Sequence, residues 1–240
     1  MLSLKVAKAV GHVAKVSRIA ASEAAEHAGQ RLAAALSEVL KKKQHARLAI
    51  PGGSAANALS FARALLGPSW SSVYLTWVDE RCVDVASEDS NRGSAYRSTA
   101  LSKEDMPGLE LPLWLDGENA DSAKTRVQAG LEEHFGDGLD VTLLGMGPDG
   151  HIASLFPGHP ALALDPQHWV AHLSDSPKPP AERMTLTQSY LQRSRCNLLL
   201  ALGDAKEPAL RRLLSADDAL PASKLSNLEI ITNIDLGAVA

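Results

Sequence analysis

The stretch LLGMGPDGHIASLFPGHP, residues 143–160, carries two side chains that can move a proton. Asp149 and His151 stand on either side of a glycine, within a turn that is rich in glycine. A histidine at such a position can be neutral at physiological pH and take a proton from water. From this segment alone, a histidine that caps a helix at a surface turn is an equal alternative.

The glycines of this turn have the G-x-G-x-x-G spacing of a dinucleotide-binding loop. Such a loop leads directly into a long crossover helix. Here Pro148 interrupts the turn and Pro157 follows shortly, which leaves room for barely two helical turns. The context therefore argues against a dinucleotide site and favours a bend at a strand end that exposes Asp149 and His151.

A second glycine-containing turn occurs in IPGGSAANAL, where Gly52 and Gly53 follow a short apolar strand and Ser54 opens a helix. This arrangement points backbone N–H groups and the positive end of a helix at one spot, which suits an anion. An ordinary strand–helix turn with Ser54 as the N-cap explains the same residues. The phosphate-binding Walker pattern is excluded because its lysine is missing.

Charged residues end the next predicted strand, VYLTWVDE, and continue into Arg81, with Asn91 a short polar stretch further on. Adjacent charges at the opening of a sheet can hold an anion and orient a base. A solvated turn with internal ion pairs is the simpler interpretation of Asp79 to Arg81 taken alone. Cys82 is predicted to be a small packing residue, because no histidine lies close to it in sequence.

Two further cations stand at places where they could complete an anion site. Arg183 follows a proline-rich segment, and Lys206 lies at a strand–helix junction. Singly, each is typical of a solvated surface charge. Together with Gly53 and Ser54 they would form a phosphate pocket in a chain whose formal net charge is -4.

The composition limits the classes of protein to consider. The chain has 240 residues, of which 45% are hydrophobic and 22% charged, as in an ordinary globular protein. An acidic chain of this kind is a poor nucleic-acid binder, and no apolar run is long enough to cross a membrane. Two cysteines without metal-binding spacing predict a protein of the reducing cytoplasm that has no metal site. We expect a small-molecule ligand and a monomer or weak homodimer.

Apolar strands alternate with helices along the chain, which predicts a single-domain α/β protein with an open, mostly parallel sheet and helices on both faces. Strands are expected at 73–80, 109–115, 139–147 and 196–203, and a short one in ARLAIPGGS, which runs into a turn and ends near Gly52. Helices are expected at 22–43 with Ser22 as the N-cap, and at 55–66, 90–101, 120–134 and 204–214. The predicted strands that end near Gly52, Asp79 and Gly145 run into loops rich in glycine or charge. The carboxyl ends of strands are the places where open parallel sheets bind ligands.

We expect residues 1–240 to form this one domain, with residues 1–20 as a basic lead-in to the first strand and helix. The lead-in contains lysines and an arginine but no acid, a composition shared with mitochondrial presequences. The proline-rich residues 157–180 are expected to be mostly loop. The final segment SNLEIITNIDLGAVA receives no role.

Five segments then occur in the order and spacing of one family: PGGS, VDERCV with SN, GMGPDGHIASLFPGHPAL, PPAERMTLT and GDAKEPAL. In these segments the chain resembles the 6-phosphogluconolactonases, over nearly all residues after 20. The resemblance implies hydrolysis of 6-phosphogluconolactone to 6-phosphogluconate in the oxidative pentose phosphate pathway. It also implies a Rossmann-like fold shared with glucosamine-6-phosphate deaminase, and no metal or organic cofactor.

The resemblance further implies roles for single residues. His151 matches the histidine that activates the hydrolytic water as a general base, and Asp149 maintains its geometry. Arg81 matches an arginine that contacts the substrate, either at the ester or at the phosphate. The residues that match substrate-binding positions are Gly52, Gly53, Ser54, Asp79, Asn91, Arg183 and Lys206. Many relatives have threonine and proline after the glycine turn, whereas this chain has Ala55 and Ala56.

Two rival functions share this fold. Deaminases resemble the chain around D-G-H but continue with asparagine, glutamate and proline, whereas Ser154, Leu155 and Phe156 stand here. Deaminases also tend to have an aromatic residue in place of Arg81. Sugar-phosphate sensors of transcription regulators normally carry a helix-turn-helix module, for which the roughly 45 residues before LAIPGGS are too few. The lactonase is therefore favoured.

Overall fold

The computed structural model describes residues 4–9, 12–98, 101 and 105–237. The strands are β1 (Leu4–Ala9), β2 (His12–Arg18), β3 (Ala46–Ile50), β4 (Val73–Trp77), β5 (Asp79–Arg81), β6 (Leu109–Leu111), β7 (Val141–Gly145), β8 (Val170–Leu173), β9 (Arg183–Leu186), β10 (Asn197–Ala201) and β11 (Leu228–Thr232). The helices are α1 (Ala24–Leu40), α2 (Ala58–Leu66), α3 (Asn91–Arg97), α4 (Ala120–Gly130), α5 (Gln188–Leu191) and α6 (Glu207–Leu214).

Eight strands form a large sheet in the order β1-β2-β11-β10-β7-β3-β4-β6. Its ladders are parallel except for the antiparallel hairpin of β1 and β2. The central strands are almost continuously apolar. In a parallel sheet the crossover helices pack on both faces, so both faces of these strands are buried. The predicted open, mostly parallel α/β sheet is confirmed. That residues 1–240 form one domain stays a prediction.

Helix α1 is shorter than predicted at both ends. Its N-cap is Glu23, which makes no side-chain capping hydrogen bond, so the prediction of Ser22 as the cap is wrong. The first residue of the helix, Ala24, is also the first buried residue of its apolar stripe, which continues through Leu32 and Leu36. The lysines at 41–43 follow the last helical turn, because the chain must turn there to enter β3.

The segment predicted as one strand over 73–80 is two strands in different sheets. β4 belongs to the large sheet, whereas β5 pairs antiparallel with β9 in a three-stranded sheet of order β5-β9-β8. Val78 joins the two sheets: its N–H donates to Ile50 O at 2.9 Å, and its carbonyl accepts from Leu186 N at 2.9 Å. The switch of partner carries the charged end of the segment out of the large sheet.

Other predicted elements exist with different ends. The helix expected at 55–66 begins with a 3-10 turn, Gly53–Asn57, and the one expected at 120–134 ends in a π turn, Leu131–Phe135. The strand at 109–115 stops after Leu111. The helix at 90–101 is described only to Ser98, and α3 itself ends at Arg97. Strands β1, β2, β9 and β11 lie where no strand boundaries were predicted, and β8 lies within residues 157–180, which were expected to be mostly loop.

None of the helices in the described ranges is long and apolar enough to cross a membrane. The side chains of α2 instead divide into a buried and a solvent-facing set. Leu59 is fully buried in the main core, whereas Leu65 of the same helix is 61% exposed.

This difference gives a matched test of the packing. Leu59→Ala should lower the free energy of unfolding by about 2 to 5 kcal/mol, because it leaves a cavity in the core. Leu65→Ala removes the same atoms from an exposed position and should change it by less than about 0.5 kcal/mol. Urea unfolding followed by circular dichroism measures both. Equal losses of unfolding free energy in the two variants would contradict the burial of Leu59 and the exposure of Leu65.

Candidate active site

A cleft of about 350 Å³ opens at the carboxyl ends of the central strands. From β3 the chain passes to β4 and β6 on one side and later to β7, β10 and β11 on the other, so the strand order reverses between β3 and β7. Clefts at such reversals are where open α/β sheets bind ligands. The predicted site residues that line it are Gly52, Gly53, Ser54, Asp79, Arg81, Asn91, His151, Arg183 and Lys206.

The turn after β7 has a shape that depends on its glycines. Gly147 N donates to His151 O at 2.9 Å, and Gly150 N donates to Gly147 O at the same distance. Gly150 has a φ of +88°, a left-handed conformation that favours glycine. A Cβ on Gly147 would lie 2.2 Å from the His151 ring and 2.5 Å from Asp149 Oδ1. The glycines therefore permit the bend that presents the acid and the histidine.

Asp149 lies behind His151 rather than on the cleft wall, and the two side chains are in contact. Nδ1 of His151 is 2.6 Å from Asp149 Oδ1. Because the carboxylate is an acceptor, Nδ1 carries the proton and Nε2 is the nitrogen with a lone pair. The ring also packs on Phe156, with centroids 4.6 Å apart.

The charge states of this pair follow from their surroundings. Burial lowers the pKa of His151 below its usual 6.5, and the nearby Asp149 carboxylate opposes that effect without cancelling it. Burial would raise the pKa of Asp149, but hydrogen bonds from His151 and Lys178 outweigh it and lower that pKa to about 2. At neutral pH the pair is therefore a neutral imidazole beside a carboxylate.

Asp79 is a buried carboxylate that connects several parts of the site. Its Oδ1 accepts from Asn91 Nδ2 at 3.1 Å, and its Oδ2 accepts from Ser154 Oγ at 2.7 Å. Nη1 of Arg183 lies 3.6 Å from the same Oδ2. A Cβ on Gly52 would lie 1.9 Å from Asn91 Oδ1, so this glycine makes room for the amide.

Glu80 is a positioning residue that the sequence analysis did not assign to the site. Its carboxylate accepts backbone hydrogen bonds from Arg81, Asn91 and Arg92 at 2.7 to 2.8 Å, and one from Ser90 Oγ at 3.2 Å. Burial raises its pKa against these contacts. Glu80 thereby fixes β5 to the beginning of α3, which carries Asn91 into the cleft.

The three predicted cations differ in how many donors they have free. Arg183 is buried, and its guanidinium already donates to Lys178 O, Pro179 O, Pro180 O and Ser154 Oγ at 3.0 to 3.3 Å. Its predicted contact with a phosphate would compete with these bonds.

The other two cations have donors to spare. Arg81 donates from Nη1 to Asp89 O at 2.6 Å, while its Nε is buried without a partner in the described structure. Lys206 has no carboxylate within ion-pair distance among the described residues, and burial lowers its pKa. Arg81 and Lys206 are therefore the cations best able to bind an anion in the cleft.

Burial raises the pKa of Cys82 to about 12, so its thiol is not a nucleophile at neutral pH and the packing interpretation is supported. Within the described ranges, no group of three or more histidine, cysteine, aspartate or glutamate side chains could hold a metal ion.

Comparison with known proteins identifies relatives along most of the chain. Residues 20–232 match the family model described as glucosamine-6-phosphate isomerases/6-phosphogluconolactonase. The chain is 34% identical over 212 residues to a 6-phosphogluconolactonase of Mycobacterium tuberculosis, covering 82% of this chain and 84% of the relative. It is 35% identical over 201 residues to a probable chloroplastic 6-phosphogluconolactonase of Oryza sativa, covering 76% of this chain but only 61% of that relative.

Solved structures agree with the fold. A crystal structure of a 6-phosphogluconolactonase from Shewanella baltica has a TM-score of 0.75 and 26% identity, and the match covers 88% of this chain and 93% of that one. A 6-phosphogluconolactonase from Trypanosoma cruzi has a TM-score of 0.79 at 20% identity, with 95% and 97% covered, and supports the fold alone.

The contact between Asp149 and His151 predicts a titration. Asp149→Asn removes the negative charge that favours the imidazolium, so the pKa of His151 should fall further below 6.5. The midpoint is measured from the Cε1–H signal of His151 in NMR spectra between pH 4 and 8.

Asp218→Asn serves as the control, since it removes an exposed carboxylate that pairs with Lys224 outside the cleft. It should leave the midpoint of His151 unchanged. A midpoint that rises in Asp149→Asn would contradict the described pairing.

Proposed function

The chain belongs to the glucosamine-6-phosphate isomerase/6-phosphogluconolactonase family, and on this premise we propose that it hydrolyses 6-phospho-D-glucono-1,5-lactone to 6-phospho-D-gluconate in the oxidative pentose phosphate pathway. The proposal rests on the Asp149–His151 pair, which presents a neutral imidazole at a cleft that is also lined by Arg81 and Lys206, cations with no carboxylate partner among the described residues. The two cysteines are both free, which suits a reducing cytoplasm.

In the proposed reaction, His151 Nε2 takes a proton from water while the water oxygen attacks the lactone carbonyl. Asp149 stabilises the imidazolium that forms, through the bond to Nδ1. The tetrahedral intermediate then breaks the bond between the carbonyl carbon and the ring oxygen. The imidazolium returns its proton to the leaving ring oxygen, and the product is a hydroxy acid that ionises to the carboxylate. No covalent intermediate is needed.

The cations of the cleft supply orientation and charge stabilisation in this proposal. Lys206 and the backbone N–H groups of Gly53 and Ser54 bind the phosphate. Arg81 contacts either the phosphate or the carbonyl oxygen on which negative charge develops. Arg183 acts mainly through the residues it holds, since protein acceptors already occupy most of its guanidinium donors.

The residues after His151 favour the lactonase over a deaminase of the same family. A deaminase needs an acid there to support the histidine during ring opening. Here Ser154 donates its hydroxyl to Asp79, Leu155 is buried in the core, and Phe156 lies against the His151 ring. None of the three can act as an acid or a base.

His151→Ala should lower kcat by about 10²- to 10⁴-fold, the usual contribution of a general base. The rate is measured in a coupled assay in which glucose-6-phosphate dehydrogenase generates the lactone and 6-phosphogluconate dehydrogenase reports the product as NADPH. A blank without the protein gives the spontaneous hydrolysis that must be subtracted.

His134→Ala is the matched control, because His134 lies outside the residues that line the cleft. It should retain the activity of the unaltered protein. Unchanged turnover in His151→Ala would exclude His151 as the base. No acceleration by the unaltered protein would direct attention to turnover of glucosamine 6-phosphate.

Lys206→Met should mainly raise KM, by about 10- to 100-fold, because a charge-assisted bond to the phosphate is lost from ground and transition state alike. Lys224→Met, which removes an exposed lysine paired with Asp218, is the control and should leave KM unchanged. Initial rates over a range of lactone concentrations separate KM from kcat. A fall in kcat alone would place Lys206 elsewhere than at the phosphate.

A further inference from the structure

We propose that Lys178 is a positioning residue of this site: its ammonium group holds the Asp149 carboxylate against His151 Nδ1 and keeps His151 in the neutral form whose Nε2 accepts the proton from water. The proposal rests on the proposed hydrolysis for its catalytic meaning. Its structural part, the effect of Lys178 on His151, is independent of the substrate.

The geometry around His151 Nδ1 carries the argument. Lys178 Nζ lies 3.1 Å from Asp149 Oδ1 and 3.3 Å from His151 Nδ1. Since Nδ1 carries the proton that is shared with Asp149, it has no lone pair to accept a bond from an ammonium group. The contact between Lys178 and the ring is therefore one between two donors. A cation in that position opposes a second positive charge on the imidazole.

The backbone of Lys178 is held on both sides. Arg183, which is buried on β9, donates to the carbonyls of Lys178, Pro179 and Pro180 at 3.0 to 3.1 Å. Ser176 Oγ donates to Lys178 O at 2.9 Å and accepts from Lys178 N at 3.3 Å. Lys178 thus extends from a braced segment, unlike a lysine on a free loop.

Several charges face His151 from the surrounding elements. Asp149 of its own turn and Asp79 at the beginning of β5 both raise the pKa of His151, whereas Lys178 lowers it. Phe156 covers the ring with carbon and does not titrate. Further cations line the same cleft, namely Arg81, Arg183 and Lys206. Among the residues that the structure describes, Lys178 is the cation in direct contact with the Asp149–His151 pair.

This placement separates Lys178 from the cations assigned to the substrate. It contacts the carboxylate behind the histidine and is not among the residues that line the cleft in the described part of the chain. Loss of a substrate contact would raise KM, whereas loss of a positioning contact lowers kcat and leaves KM nearly unchanged.

The test compares two variants of Lys178. Lys178→Met keeps a side chain of similar length but removes its charge, whereas Lys178→Arg keeps the charge. NMR titration of His151 without substrate should show a midpoint at higher pH in Lys178→Met. Because the base must be neutral, the acidic limb of kcat/KM should move to higher pH in the same variant. We expect kcat to fall about ten-fold or more at pH 6, with KM within about two-fold. Lys178→Arg should restore both the midpoint and most of kcat.

The proposal is overturned if the titration midpoint of His151 stays the same or falls in Lys178→Met. It is also overturned if Lys178→Arg fails to restore that midpoint although the variant unfolds in urea like the unaltered protein. A KM raised by the same factor as kcat is lowered would make Lys178 a substrate contact, which also overturns it. If the unaltered protein does not accelerate lactone hydrolysis, the proposed function fails. The titration still decides whether Lys178 controls His151.

Discussion

The architecture of the cleft depends on one buried carboxylate, that of Asp79, which contacts three other parts of the fold. Asp79 can stay away from water only if other groups compensate its charge and occupy its lone pairs. Three residues from different elements do so: Asn91 belongs to α3, Ser154 to the turn that follows β7, and Arg183 to β9. The same three contacts therefore join the small sheet, a helix and the histidine turn around one point.

Much of the fold could be predicted from local pattern, because β3, β7 and β10 are short, mostly apolar runs with a glycine at their end or two residues beyond it. A parallel sheet brings such ends to one edge, so the residues that follow them meet. The sequence analysis grouped Gly53 and Lys206 as a phosphate pocket, and the family resemblance added His151 to the same cleft; the structure does bring the three together. That they bind and transform a substrate stays a prediction.

What local pattern missed depends on contacts between distant segments. Strand β5 has three residues and forms because β9 pairs with it, which no feature of its own sequence indicates. Lys178 lies in a proline-rich segment that is predicted to be loop. It reaches Asp149 because Arg183 holds the backbone of this segment in place. Arg183 was expected to bind phosphate because a cation near a cleft suggests an anion. Only the packed structure reveals that protein acceptors already occupy most of its donors, and its contact with phosphate stays a prediction.

The order of strands in the large sheet also has a consequence for how the chain reaches its native state. Val16 on β2 pairs with Ile230 on β11, so an early strand finds its parallel neighbour near the other end of the sequence. Closing so long a loop costs chain entropy before the contact can compensate it, and folding slows as such distant pairings dominate. During synthesis, β2 must wait until β11 has left the ribosome. The central strands around the cleft can associate while that outer part of the sheet is still missing.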